Sequence, residues 1–366
     1  MQMTSKWNAL RDLGQSVWYD NVARPAIESG LLARLIAEDN VTGGTSNPSI
    51  FANAVQKSDL YDDDIRSAPA DATPQQIFER AAVADITRAL EMFRPVWERC
   101  GGRDGFVSLE VEADLAFDRD GTVRRAHEVW AQVDRPNLMV KVPGTKAGVA
   151  AFRQLTADGL NINVTLLFSV ARYREIAEAY VEALEQRLEA GEALDHIDSV
   201  ASFFVSRIDA KVDAMLPEGS PLAGKIAIAN AKVAYADVYK VVFTGARWEK
   251  LKAAGANPQR PLWASTSTKN PKYPPTLYVD ELIGPDTVNT VPDATIEAFR
   301  EHGNPRRTLD VGIDQARAHL AALEEAGISL DQVTAELERE GVEAFQKAYN
   351  GMIEAIAEKR GRVAAD

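Results

Sequence analysis

The chain has 366 residues, 46% of them hydrophobic, with 54 acidic against 41 basic side chains and a net charge of −13. So acidic a body argues against nucleic acid or a membrane as the main partner, since an anionic surface calls for a basic face, while a local basic pocket for a small anion stays compatible with it. A single cysteine, Cys100, excludes an internal disulfide framework and fits a reducing, cytoplasmic setting, and no run approaches the roughly 18 apolar residues of a membrane span.

Residues 4–15 read as a short helix that Ser5 or Thr4 could cap, and their mixed polarity is not that of a signal peptide. A β-rich run over 16–22 carries Asp20. Pro25 and the Ser29-Gly30 pair then precede an amphipathic helix. A second strand over 41–46 closes on Asn47-Pro48, where proline stops the ladder and can open a helix. The acidic, turn-rich text of residues 58–71 reads as a solvated surface insertion.

Helix Pro74–Arg99 follows, then a strand over 105–112, a helix over 122–132 and a strand over 138–142 that contains Lys141. A helix over 148–158, a strand over 162–168 and a helix over 170–190 come next. The strand over 199–206 ends at Arg207, and an alanine-rich helix spans 223–243. Strand 261–266 leads into an irregular Pro- and Lys-rich stretch, STKNPKYPP. Residues 276–283 are ambiguous between strand and helix, and Thr287–Val291, stopped by Pro292, is the better eighth strand. Everything after Asp293 reads as helix, including a long one from about 330 to 360.

Short apolar strands alternating with helices are the pattern of a parallel sheet with crossover helices. Eight such units without a dinucleotide fingerprint favour an α/β fold of the closed (β/α)8 barrel type, with additional N- and C-terminal helices, as one domain over 1–366. There is no GxGxxG opening a helix after a strand, no GxxxxGK[ST] and no GxSxG elbow. The four histidines (His127, His196, His302, His319) are isolated, so histidine-based metal binding or nucleophilic catalysis has little support.

Lys141 lies in a strand that is apolar on both faces, at its C-terminal end beside Pro143-Gly144. An edge-strand lysine turned to solvent is the plain alternative. A buried one needs partners or must lose its proton, and with its pKa lowered toward about 7–8 it becomes a nucleophile for a carbonyl carbon, giving a Schiff base. Asp20, Asn47, Glu110, Lys141, Asn163, Thr165, Ser202, Arg207 and Ser265 each fall within or just past the end of a strand, and barrel strands converge there on one face. Glu110, Glu112 and Asp114 alternate, so a divalent-metal site is a competing reading if that strand extends far enough.

The stretches GGTSNPSIF, VSLEVEADLA, LMVKVPGTKAG, NINVTLLFSVARY, SFFVSRIDAKVD and PLWASTSTKNP resemble transaldolase, in the family's order and over nearly the whole chain, and look most like the longer form found in bacteria such as actinobacteria. The resemblance implies a (β/α)8 barrel that moves a dihydroxyacetone unit between sugar phosphates through a lysine Schiff base, without cofactor or metal, as a monomer or homodimer. It implies Lys141 as the Schiff-base lysine and Asp20 as the residue that takes and returns the sugar hydroxyl proton. Glu110, with Thr165 and Ser202, would hold a catalytic water. Asn47 and Asn163 would hold the dihydroxyacetone hydroxyls, and Arg207 would bind phosphate. Phe204 stands where free-dihydroxyacetone aldolases carry tyrosine. One departure concerns the strand-seven motif: Ser265 keeps the family's serine, but Ser267 stands where many members have a second phosphate arginine, and Lys269 is the nearest cation. Lysine acts on phosphate as a point charge and lacks arginine's bidentate fork.

Overall fold

A computed structural model of the chain describes residues 5–363. Among these, eight parallel strands close into a barrel in sequence order. They are β1 (Gln15–Tyr19), β2 (Val41–Thr45), β3 (Val107–Glu110), β4 (Leu138–Pro143), β5 (Ile162–Leu167), β6 (Ser199–Phe204), β7 (Arg260–Ala264) and β8 (Thr287–Val291), with β8 paired back onto β1. Helices follow the strands and cover the outside, as expected for a (β/α)8 barrel. Among the described residues no helix is long and apolar enough to cross a membrane.

Side chains alternate along a strand, so each inward residue has another inward residue two positions on. Trp18, Met139, Val200, Leu262 and Val288 form a buried plug inside the barrel. Two positions further, that same face presents Asp20, Lys141, Ser202, Ala264 and Thr290. The apolar layer therefore closes the barrel from below and leaves the polar layer at the C-terminal ends. Gly43 makes room for this plug, because a Cβ there would stand 2.6 Å from the Trp18 indole. Val140 and Val142 flank Lys141 on β4 and face the helices, in a strand buried along its whole length.

Several boundaries differ from the expectations. The first helix is Lys6–Asp12, capped by Ser5, while Thr4 lies outside the described residues. Pro25 does not merely precede a helix but opens a short one of its own, Arg24–Glu28, ahead of Leu31–Glu38. Residues 58–71 are a solvated insertion only in part: Asp59, Asp63 and residues 69–71 are exposed, but the segment is pinned to the body. Tyr61 and Ile65 are 1% and 3% exposed, Asp62–Arg66 is helical, and Asp64 and Asp62 pair with Arg24 and Lys359. A run of charge says nothing about partners that lie elsewhere in the sequence.

β3 stops at Glu110, and Ala113–Phe117 is a 3-10 turn, so Glu110, Glu112 and Asp114 do not share a face. Glu112 instead accepts from Arg125 Nε at 2.8 and 2.9 Å. β6 ends at Phe204, which puts Arg207 in the first turn of helix Ser206–Val212. The alanine-rich helix begins at Ile226 and changes to a wider π turn over Tyr235–Tyr239. Residues 277–280 are helical, and the segment after Asp293 is broken by an irregular stretch over 303–312.

Two buried carboxylates outside the barrel mouth give a pH prediction. Asp209 accepts from the Ala227 backbone N–H at 2.7 Å and from the Tyr278 hydroxyl at 2.9 Å. Burial nonetheless pushes its carboxyl up from 3.8 to about 6, and does the same to Asp198. The folded chain thus keeps protons that the unfolded chain releases, and stability drawn from them is lost as pH rises from about 4 through about 6. In urea melts across that window, Asp209→Asn should gain on the parent chain as pH rises, by a few kcal/mol at most. A constant difference between the two at all pH values would show that Asp209 does not titrate there.

Candidate active site

A cavity of about 340 Å³ opens at the C-terminal ends of the strands. Lys141 and Glu110 form its floor, Asp20 and Asn47 one wall, Thr165 and Ser202 another, and Phe204, Arg207, Ser265 and Lys269 line the outer part. Ten residues picked out in the sequence therefore meet in one place. Asn163 is the exception: it is 0% exposed and does not line the cavity.

The Lys141 Nζ donates to Glu110 Oε2 at 3.1 Å, with side chains only 11% and 6% exposed. The register of the sheet places them there, since Glu110 is the partner of Lys141 across β3 and β4. Burial raises the Glu110 carboxyl above its ordinary value; Lys141 opposes that rise and Asp20 adds to it. Glu110 is thus a carboxylate that readily takes a proton, held against an amine that must give one up before it can attack carbon.

Asp20 follows β1, and its backbone N–H donates to Val291 O on β8 at 2.9 Å. Asn47 caps helix Pro48–Lys57: its Oδ1 accepts from Ile50 N–H at 3.1 Å, which leaves the amide NH2 to donate into the cavity. Asn163 lies one inward step below Thr165, accepting from Ser202 Oγ at 2.7 Å and donating to Ser108 Oγ at 3.0 Å. It braces Ser202 from beneath. The Thr165 hydroxyl is buried without a hydrogen-bond partner among the described residues.

Leu166 has φ +62°, and the β5–β6 register shifts around it. A leucine in the left-handed region is strained. The irregularity lets consecutive residues, Thr165 and Leu166, both line the cavity where a regular strand would turn one of them away.

At the outer end, the Arg207 guanidinium sits over the Phe204 ring at 5.3 Å, and Phe204 packs on Phe168 at 5.2 Å. Lys269 Nζ donates to Ser267 Oγ at 2.8 Å. Although Lys269 is exposed by area, the cavity walls partly desolvate its ammonium and the charge of Arg207 also bears on it, so its proton is held less firmly than usual. Burial lowers Arg207 too, with Glu340 opposing. Lys269, whose charge is disfavoured by burial and by Arg207 on the same cavity, is relieved by an anion bound between the two cations.

The sequence did not point to Thr45 and Thr290, which line the cavity beside Asp20, nor to Gly341, Ala344, Phe345 and Ala348 of the C-terminal helix Leu330–Val363, which wall its open side. Thr45 does lie within the TSNPSIF block, two residues from Asn47, so a signal was there. The helix showed only its apolar period. It is anchored far from the cavity, where Lys359 Nζ donates to Val55 O at 3.0 Å and Arg360 Nη2 to Ala70 O at 2.9 Å.

A family model described as transaldolase/fructose-6-phosphate aldolase matches residues 17–356. The chain belongs to that family. A transaldolase of Thermobifida fusca is 46% identical to it over 364 residues, 98% of this chain and 99% of the relative. One of Thiobacillus denitrificans is 47% identical over 350 residues, 94% of this chain and 97% of the relative. A third, of Frankia alni, is 43% identical over 371 aligned positions that cover both chains completely. The transaldolase family match thus reaches from within β1 through all the other strands and most of the C-terminal helix that walls the cavity.

Proposed function

We propose that this transferase of the transaldolase family moves a dihydroxyacetone unit through a Schiff base on Lys141, from sedoheptulose 7-phosphate or fructose 6-phosphate to glyceraldehyde 3-phosphate or erythrose 4-phosphate, within the pentose phosphate pathway. The observation that carries this reading is the buried contact of Lys141 with Glu110 at the cavity floor. Glu110 takes a proton from the Lys141 side, and the amine attacks the ketone carbon. A water held by Glu110 and the unpartnered Thr165 hydroxyl relays the proton that lets hydroxide leave the carbinolamine. The iminium then draws electrons from the bond to the aldose fragment while Asp20 takes the hydroxyl proton from that fragment. The Asn47 amide and the Asn163–Ser202 pair steady the enamine until the acceptor aldehyde arrives.

Mass spectrometry after incubation with fructose 6-phosphate and borohydride tests this. One dihydroxyacetone-derived adduct should appear, on Lys141. An adduct on Lys146, or none, would sink the assignment. Phe204 supports transfer over release, because a phenyl ring cannot position water against the enamine as a hydroxyl could. Fructose 6-phosphate alone should therefore yield little free dihydroxyacetone, and sustained stoichiometric release without acceptor would instead mark an aldolase.

Arg207 and Lys269 would hold the substrate phosphate. Arg207→Ala should raise KM for phosphorylated donors roughly ten- to a hundredfold, the loss of one charge-assisted partner. Unphosphorylated dihydroxyacetone donors should be affected much less, and Lys269→Ala should show a smaller loss of the same selectivity. Equal losses on both donor classes would mean that these side chains only shape the cavity mouth.

A further inference from the structure

The seam where the barrel closes places β1 between β2 and β8, and Asp20 sits at its end. Thr45, the last residue of β2, donates its hydroxyl proton to Asp20 Oδ1 at 2.7 Å. The oxygens of Thr45 and Thr290, on β8, are 2.9 Å apart. Both threonines line the cavity and are only 2% and 4% exposed. Nothing else in the protein hydrogen-bonds either carboxylate oxygen of Asp20 among the described residues.

We propose that Thr290 and Thr45 form a directed hydroxyl chain that positions Asp20 and leaves its Oδ2 as the oxygen that exchanges a proton with substrate. The direction follows from counting protons. A hydroxyl has one to give, and an ionised carboxylate has none. For the 2.7 Å contact to be a hydrogen bond, the Thr45 proton must point at Asp20. Its contact with Thr290 is then one it accepts, so Thr290 donates. Oδ1 is held from the strand beside it, and Oδ2, on a side chain that lines the cavity, has no hydrogen-bond partner among the described residues.

The inference rests on the Schiff-base reading above. In the cleavage step, the proton of the hydroxyl next to the breaking carbon–carbon bond passes to Oδ2. The O–H electron pair becomes the carbonyl π bond of the departing aldose, and the carbon–carbon pair moves to the enamine, neutralising the iminium nitrogen. In the second half the same proton returns to the new hydroxyl. A carboxylate free to rotate between its two oxygens would present the accepting lone pair only part of the time. Thr45 and Thr290 are positioning residues, acting through Asp20.

Imine formation does not use Asp20, whereas cleavage does, and that difference supplies the test. The full-length chain and its Thr45→Val, Thr45→Ser and Thr290→Val variants are incubated with fructose 6-phosphate and trapped with borohydride. The mass on Lys141 then distinguishes the three-carbon adduct from the intact ketose adduct. The parent chain should give mainly the three-carbon form. Thr45→Val should lose about ten- to a hundredfold in kcat with little change in KM, and its trapped population should move to the intact ketose. Thr45→Ser should restore both readouts, and Thr290→Val should shift them in the same direction by less. Parent-like kcat and adduct ratio in Thr45→Val would overturn the proposal, as would an equal loss of both adducts that serine does not restore. Absence of any Lys141 adduct in the parent chain would instead bring down the Schiff-base reading itself, and this inference with it.

Discussion

Lys141→Arg should lower the transfer rate by about four orders of magnitude or more, the scale on which removal of a covalent nucleophile acts. Guanidinium stays protonated at any working pH and cannot attack a carbonyl. It can still pair with Glu110, so the variant should fold with a circular-dichroism melt close to the parent's and give no borohydride adduct. Lys141→Met is the companion experiment. It leaves Glu110 buried without a counter-charge, so that carboxyl, already raised by burial, is pushed up further. Both variants should be inactive for the same chemical reason, although one keeps the ion pair and the other loses it. Transfer within tenfold of the parent in either would rule out Lys141 as the nucleophile.

The largest effect on stability is expected at Asp85, which does not line the cavity. This residue, 0% exposed on helix Pro74–Arg99, accepts from Arg24 Nε and from the Tyr61 hydroxyl, both at 2.8 Å. The Arg24 guanidinium also lies over the Tyr61 ring at 4.4 Å and donates to Leu60 O at 2.8 Å. Removing one partner of a buried pair leaves the other charge stranded, which costs about 3–5 kcal/mol. Arg24 retains Asp64 and the Leu60 carbonyl, so Asp85→Ala should fall near the lower end, about 3 kcal/mol in urea unfolding. The double change Arg24→Met with Asp85→Leu should recover most of that loss, since a well-packed apolar pair stands in for an ion pair. Activity per folded molecule should stay at the parent level in both. A loss under about 1 kcal/mol in Asp85→Ala would show the pair to be solvent-accommodated.

The barrel and its polar layer were legible in the sequence for a physical reason. A strand covered on both faces reads as an unbroken apolar run, so a lysine or glutamate inside one stands out, and the strand-helix alternation fixes the face to which such residues converge. Distance in sequence hides the rest. The pairing of Asp62 with Lys359, and of Asp64 with Arg24, is invisible in a local charge count, and that is why residues 58–71 looked like a solvated loop. Asn163 carried the right motif and side-chain chemistry, but its depth of one inward step below Thr165 depends on where β5 bends, and the left-handed Leu166 has no composition signal. Thr45 was passed over because a threonine near a strand end is ordinary; its meaning comes from Thr290, 245 positions away. For the C-terminal helix, the amphipathic period announced an apolar face without saying that small residues on it would wall a cavity.

Closure of the barrel through β1 and β8 bears on how the chain is made. Asp20 is synthesised early, but the carbonyl of Val291 that receives its backbone N–H, and the Thr290 hydroxyl behind Thr45, emerge from the ribosome only after about 270 further residues have been added. At roughly 5–20 residues per second that interval is on the order of tens of seconds. Throughout it β1 is an open edge, with unpaired backbone groups able to template another strand. A nascent chain released before Thr287 would already carry Lys141 and Glu110 on neighbouring strands, with no eighth strand to hold Asp20 opposite them.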